Sequence, residues 1–392
     1  MIKTISKNTW RALFGMLTLL MFDYVGAQDY QKLMTSAQEN IQKKNFCEAL
    51  SNFNDAFKTP EGIKENNPFV LYAAASSAAY CNDNKKAIDW LSQAQEIGLV
   101  SKAEEITYIE SDNAFVKLHG TKEWVDIIGR MKLSVTEKKA QEDKLNKEWN
   151  ASIKENGSKL VNKKTFDPKT RFALYFTKVK GQDVPYVVFV PQNYDFKKPS
   201  KLIVYLHGGV ASSEKYSYDN YLVQKEPIFS VGEDLNAIVV YPFGKKDFGW
   251  VNQQEAFDNV LTAIDQVRKD FHIDKNNIVL GGMSNGGTAT FYYASLKPNI
   301  FKGFFAIVPN PNVLLDKINF NNLDQGKKII SLNSKDDSVY AFKEVEAIYL
   351  KNKNVSKDWD FRAVEEGDHG LIYEPGKGQE ILENVIKELL DK

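Results

Sequence analysis

With 392 residues, 43% of them apolar and 26% charged, the chain is long enough for two cores and has the composition of ordinary folded soluble protein, which excludes a disordered or membrane-embedded chain. Lys plus Arg and Asp plus Glu are equal at 51 each, so no net field favours nucleic acid or an anionic membrane. Only 2 cysteines and 4 scattered histidines are present, which gives no metal-ligand set.

At the N-terminus Lys3, Lys7 and Arg11 precede an apolar run from Ala12 to Phe22, shorter than a bilayer span. Val25-Gly26-Ala27 then places small residues just before Gln28. This pattern predicts a signal peptide over residues 1–27 and an exported protein, periplasmic or extracellular, with no membrane attachment after cleavage.

From Asp29 to about Met131 the apolar spacing is helical. Phe46, Ala49, Leu50, Phe53 and Ala56 share one face, and Ala87, Ile88, Leu91, Ala94 and Ile97 share another. Helix pairs recur at about 34 residues. Lys44 to Leu50 and Asn84 to Ile88 resemble tetratricopeptide repeats, without their Trp-Leu-Gly signature. The resemblance implies a helical domain over residues 28–132 that either offers a concave face to a protein partner or is a packing appendage. In such a stack Cys47 and Cys81 stand at the ends of antiparallel helices, and in an exported protein a Cys47–Cys81 disulfide is expected. Residues 133–164 are polar and lysine-rich and read as a charged helical linker.

Beyond it the pattern changes to short apolar runs separated by turns and helices. Arg171 to Val179 and Val184 to Val190 read as an antiparallel pair. Further strands are expected near Lys201, Ala237, Ile278, Gly303, Lys328 and Phe361, with helices between them. Strands alternating with helices predict a mainly parallel sheet covered on both faces over residues 165–392.

Within that region Ile278-Val279-Leu280 runs into Gly282-Met283-Ser284-Asn285-Gly286, a G-x-S-x-G that opens a helical segment. In a strand–turn–helix this motif holds a serine hydroxyl at the top of a sheet. A serine needs a base. His119 lies in the helical region, His207 opens a glycine loop, and His272 precedes the elbow strand. Only His369 follows a strand after the serine, where catalytic groups gather in such sheets. The acid should fall between the two, and Asp336 and Asp337 both leave a strand end there. An oxyanion needs preformed amide donors, which Asn285 can supply together with Gly208, Gly209 or Val210.

These features in chain order resemble the α/β-hydrolase superfamily, and among its branches the polyhydroxybutyrate depolymerase and feruloyl esterase-like group, through Ser284-Asn285-Gly286-Gly287, Leu206 to Gly209 and Trp250. The resemblance implies an α/β-hydrolase fold and a Ser284–Asp336–His369 triad. Asp336 is preferred because such hydrolases often read Gly-x-x-Asp-x-x-Val, and Val339 follows three residues later. Asp337 is left a capping role, and Asn333 departs from the usual glycine. Gly208, Gly209 and Asn285 would form the oxyanion hole, while the segment Ala211 to Phe229 would border the site and Trp250 and Tyr373 would contact substrate. The expected activity is cleavage of a small-molecule or carbohydrate ester without cofactor or metal. A serine peptidase on the same fold, or a binding protein with an inert hydrolase domain, are the alternatives.

Overall fold

The computed structural model describes residues 25–251, 253–296, 299–323 and 326–391. The leader expected over residues 1–27 therefore lies outside the described residues up to position 24. Contacts divide the chain into two units, one ending at Glu142 and the other beginning at Asp143.

In the first unit, helical periodicity becomes α1 (Val25–Gln42), α2 (Phe46–Ala56), α3 (Pro68–Tyr80), α4 (Asn84–Glu96), α5 (Ala103–Ser111) and the start of α6 (Lys122–Glu155). Helix α1 packs on α2, and α3 on α4. Asn67 caps α3 by accepting from the Phe69 amide, with Pro68 in the first turn, and Asp83 caps α4 by accepting from Lys86. The small residues Ala73, Ala74, Ala75, Ala78 and Ala79 are all buried, so neighbouring helices can approach α3 closely. Cys47, at the start of α2, and Cys81, at the end of α3, are joined by a disulfide with Cα atoms 5.4 Å apart. Beside it Phe46 and Tyr80 stack with centroids at 4.1 Å.

The second unit opens with the last turns of α6 and the short α7 (Gly157–Leu160). The stretch expected as a linker is thus helix, and its final part is core: Ile153 is buried, as are Trp149 and Asn156. There follow β1 (Phe172–Val179), β2 (Gln182–Phe189), β3 (Ser200–Leu206), α8 (Pro227–Asp234), β4 (Ala237–Pro242), α9 (Gln254–Asp270), β5 (Ile273–Met283), α10 (Asn285–Ser295), β6 (Gly303–Ile307), β7 (Ile329–Ser334), α11 (Phe342–Asn352), β8 (Trp359–Val364) and α12 (Lys377–Asp391).

The strands form one 8-stranded sheet in the order β1-β2-β4-β3-β5-β6-β7-β8. Pairing is antiparallel for β1 with β2 and for β2 with β4, and parallel from β4 to β8. The β1–β2 turn is Lys180-Gly181 with φ of 48° and 84°, the left-handed pair that a two-residue hairpin requires. Alternation along β3 sorts the core: Leu202, Val204 and Leu206 pack with α9 and α10, while Ile203 and Tyr205 pack with α8 and α12. Each fully buried Val279 or Leu280 side chain of β5 contributes roughly 2 kcal/mol through removal from water.

The disulfide closes a chain separation of 34 residues. Loop-closure entropy for that length corresponds to about 4 kcal/mol of stability in the chain-entropy account. Cys47→Ser should therefore lower the unfolding free energy of the helical unit by about that amount. Calorimetry of the oxidised and dithiothreitol-reduced protein checks it, and coincident transitions would refute it.

Candidate active site

Strand β5 ends at Met283 and α10 begins at Asn285, so Ser284 alone makes the turn, with φ 54° and ψ −117°. A non-glycine residue in this region stores strain of about 1–3 kcal/mol, which its surroundings must hold. The Ser284 amide donates to Ile307 O at 2.9 Å, and Ser284 O accepts from Thr288 at 2.9 Å. Leu206 of β3 lies hard against the turn. A Cβ on Gly282 would stand 2.2 Å from Leu206 O, and one on Gly286 would stand 1.8 Å from it. Both glycines are therefore required by close approach.

The hydroxyl meets a base. Ser284 Oγ lies 2.9 Å from His369 Nε2, and His369 Nδ1 lies 2.9 Å from Asp337 Oδ2 and 3.1 Å from Oδ1. The Asp337 side chain is only 3% exposed and that of His369 18%, so water screens the pair weakly. Asp337 Oδ1 also accepts from the Val339 and Tyr340 amides at 2.8 and 2.7 Å. Its position is fixed from both sides.

The acid that faces the imidazole is thus Asp337, which corrects the choice of Asp336. Asp336 turns away to the loop that carries His369: its Oδ1 accepts from Asp368 N at 2.8 Å and from Ser334 Oγ at 2.5 Å, and its Oδ2 accepts from Gly367 N at 3.3 Å. Burial opposes ionisation there, yet these hydrogen bonds hold the Asp336 carboxyl below its usual range. The helix-capping role left to Asp337 is not found, since Ala341 precedes α11 without a side-chain cap and the Asp337 carboxylate instead holds the loop amides of Val339 and Tyr340. At Asn333, the departure from glycine, Nδ2 reaches Arg362 O at 3.2 Å and ties β7 to β8.

Gly208 sits beside the serine, its Cβ direction 3.0 Å from Ser284 Cβ. His207 Nε2 accepts from the Gly244 amide at 3.1 Å, so Nδ1 bears the proton and donates to Gly208 O at 2.6 Å. In a trans peptide the N–H opposes the C=O, so holding Gly208 O against the ring turns the Gly209 N–H the other way. Among the described residues neither the Gly209 nor the Asn285 amide has a hydrogen-bond partner. The Asn285 side chain braces the surroundings: Oδ1 accepts from Ala211 N at 3.3 Å and Nδ2 donates to Tyr340 Oη at 3.2 Å.

A cleft of about 430 Å³ opens over Ser284 and His369, walled by Gly208, Gly209, Ser217, Glu226 and Tyr373 among others. Tyr373 is half exposed and donates to Glu226 Oε2 at 2.9 Å. Burial pushes the Glu226 carboxyl up, against the pull of that phenol. Trp250 does not join the wall, which corrects its expected substrate contact. It is 2% exposed and packs edge-on behind His207 at 4.9 Å. The remaining histidines lie elsewhere: His119 packs on Trp124 in the helical unit, and His272 precedes β5 at the opposite strand end.

Sequence reading missed Tyr340, whose ring meets His369 edge-on at 4.9 Å, while Glu226 lies in the segment Ala211 to Phe229 expected to border the site, without being singled out there. Among the described residues no cluster of His, Cys, Asp and Glu could hold a metal ion.

Asp337→Asn should lower kcat by on the order of 10⁴, through loss of the correct tautomer and of imidazolium stabilisation. Asp336→Asn should cost about tenfold or less in kcat and appear mainly as a lower Tm. Steady-state kinetics and melting of both variants test the assignment, and the reverse ranking would overturn it. Enclosure by Tyr241, Phe243 and Trp250 pushes the His207 imidazole down to about 4. As pH falls from 6.5 toward 4 the unfolded chain takes up a proton that the native ring refuses, so stability declines, by at most about 3 kcal/mol. Urea unfolding at pH 7 and 4.5 should show a smaller drop in His207→Asn than in the wild type.

Residues 250–354 match the prolyl oligopeptidase family, a span that includes Ser284 and Asp337 and stops before His369. A protein of Acanthamoeba polyphaga mimivirus named as an alpha/beta hydrolase, L404, is 31% identical over 127 residues, 32% of this chain. The chain spans 46% of that relative's length. A thermostable esterase superposes with a TM-score of 0.42 at 20% identity, over 56% of this chain and 63% of its own. An S-formylglutathione hydrolase of Staphylococcus aureus gives 0.44 at 17% identity, over 56% and 95%. A mainly parallel sheet in this strand order, lifting a serine at the carboxyl end of a central strand and receiving its acid and histidine from later strand ends, is the α/β-hydrolase fold, and the second unit of this chain has it.

Proposed function

We propose that this protein is an exported serine esterase that cleaves carboxylic esters through an acyl-enzyme. The observation that carries the reading is the unbroken chain of contacts from Ser284 Oγ to His369 Nε2 at 2.9 Å and from His369 Nδ1 to Asp337 at 2.9 Å. Ser284 Oγ attacks the ester carbonyl while His369 Nε2 takes its proton, and Asp337 stabilises the imidazolium. The amides of Gly209 and Asn285, the latter at the start of α10, stabilise the tetrahedral oxyanion. His369 then returns the proton to the leaving alcohol. A water enters, gives its proton to His369, and releases the acid from Ser284.

A cleft wall of Ser213, Ser217, Asn220 and Glu226, with a half-exposed Tyr373, supports a substrate bearing hydroxyl or phenolic groups. Among the described residues Glu226 is the one carboxylate on that wall and no Lys or Arg lines it, which disfavours anionic substrates. Export is supported by the N-terminal pattern and by the Cys47–Cys81 disulfide. The helical unit is accessory to catalysis, either as a surface for a protein partner or as a packing appendage. Serine peptidase activity is the second reading, favoured by the match of residues 250–354 to the prolyl oligopeptidase family.

Ser284→Ala should lower kcat by on the order of 10⁴ or more with an unchanged melting curve. Retained turnover in that folded variant would sink the mechanism. p-Nitrophenyl acetate, a feruloylated sugar and a dipeptide amide assayed side by side separate the two readings, and faster turnover of the amide would establish the peptidase.

A further inference from the structure

The end of α6 and the loop that walls the cleft meet within the second unit. Ser213, Ser217, Asn220, Val223 and Glu226 all line the cleft and come from one segment, residues 213–226. The middle of that segment is engaged from outside by one face of α6. Trp149 Nε1 donates to Tyr218 O at 2.8 Å, Asn150 Nδ2 donates to Asp219 O at 2.9 Å, and Asn146 Oδ1 accepts from Tyr221 N at 2.9 Å. Spacings of three and four residues put these side chains on one stripe, with Ile153 next along it. Below them the same stripe is anchored in the core. Trp149 is 6% and Ile153 0% exposed, and Trp149 packs edge-on against Phe172 of β1 at 5.3 Å. Asn156 Nδ2 adds a bond to Phe172 O at 2.9 Å.

We propose that Asn146, Trp149 and Asn150 are positioning residues that fix the substrate wall of the cleft, so that selectivity for extended substrates depends on a helix preceding the sheet. Three bonds to the backbone of residues 218, 219 and 221 are a specific restraint. A helix that only covered apolar core would need Trp149 and Ile153 but none of these polar contacts. The nucleophile, the imidazole and the two unpartnered amides lie on other segments, so loosening the wall leaves the reacting centre intact. Binding of whatever extends beyond the ester carbonyl is what the wall controls.

This inference rests on the esterase reading for its kinetic arm and has a second readout that does not. Full-length Asn146→Leu and Trp149→Phe variants should raise KM for a feruloylated sugar about tenfold while kcat/KM for p-nitrophenyl acetate stays within about twofold. Asn146→Asp keeps the acceptor for Tyr221 N and should behave as wild type. Hydrogen–deuterium exchange of the full chain should show the Tyr221 amide losing protection in Asn146→Leu and retaining it in Asn146→Asp. Unchanged exchange in Asn146→Leu would overturn the proposal, as would an equal fall on both esters accompanied by a lowered Tm. If the wild type turns over neither ester, the esterase reading fails while the exchange experiment still decides the clamp.

Discussion

Everything at the cleft depends on how closely β3 and β5 approach at Leu206. The carbonyl of Leu206 occupies the space that side chains at positions 282 and 286 would need, so the turn around Ser284 can be built only with glycine on both flanks. That closeness forces Ser284 into a left-handed conformation and brings the loop that follows β3 against it. Gly208 reaches the serine because the strand before it already touches the turn, and Gly209 follows it on the cleft wall. Strain at one residue and proximity of the amide donors are two results of a single packing contact.

That contact also explains why the centre of the site was legible from sequence and its edges were not. Glycines at 282 and 286 mark a backbone collision, and a collision leaves a trace in residue type. His369 could be located by elimination because four histidines occupy four different settings. The acid could not. Asp336 and Asp337 lie in a loop beyond β7, where no two-residue alternation dictates which side chain faces inward, and the spacing to Val339 pointed to the wrong one. Trp250 shows the same weakness, since an aromatic residue in a loop reads alike whether it backs that loop or faces a ligand, whereas Tyr373, read in the same way, does line the cleft. The strands were legible through their apolar runs, although β5 begins at Ile273, and the polar residues before Ile278 concealed its first half.

The lysine-rich stretch before the sheet carries a related lesson. Its composition is that of a solvated helix, and most of its side chains are solvated. Two apolar residues, Trp149 and Ile153, and three asparagines carry inward contacts from it, and Leu160 beyond them is fully buried. Five residues scattered among lysines and glutamates are too few to raise a periodic signal, yet they make the helix part of the catalytic unit.

The loops after β7 and β8 are laced in both directions. Asp336 accepts from the amides of Gly367 and Asp368, Asp368 accepts from the amide of Ser338 at 2.7 Å, and Asp337 holds His369. Each loop is thus held by hydrogen bonds from the other. In grafting or recombination between hydrolases of this kind, residues 334–340 and 366–370 therefore constitute one transferable cassette. A chimaera that inherits only half of it would carry an aspartate and a histidine of the right identity, set at the wrong distance.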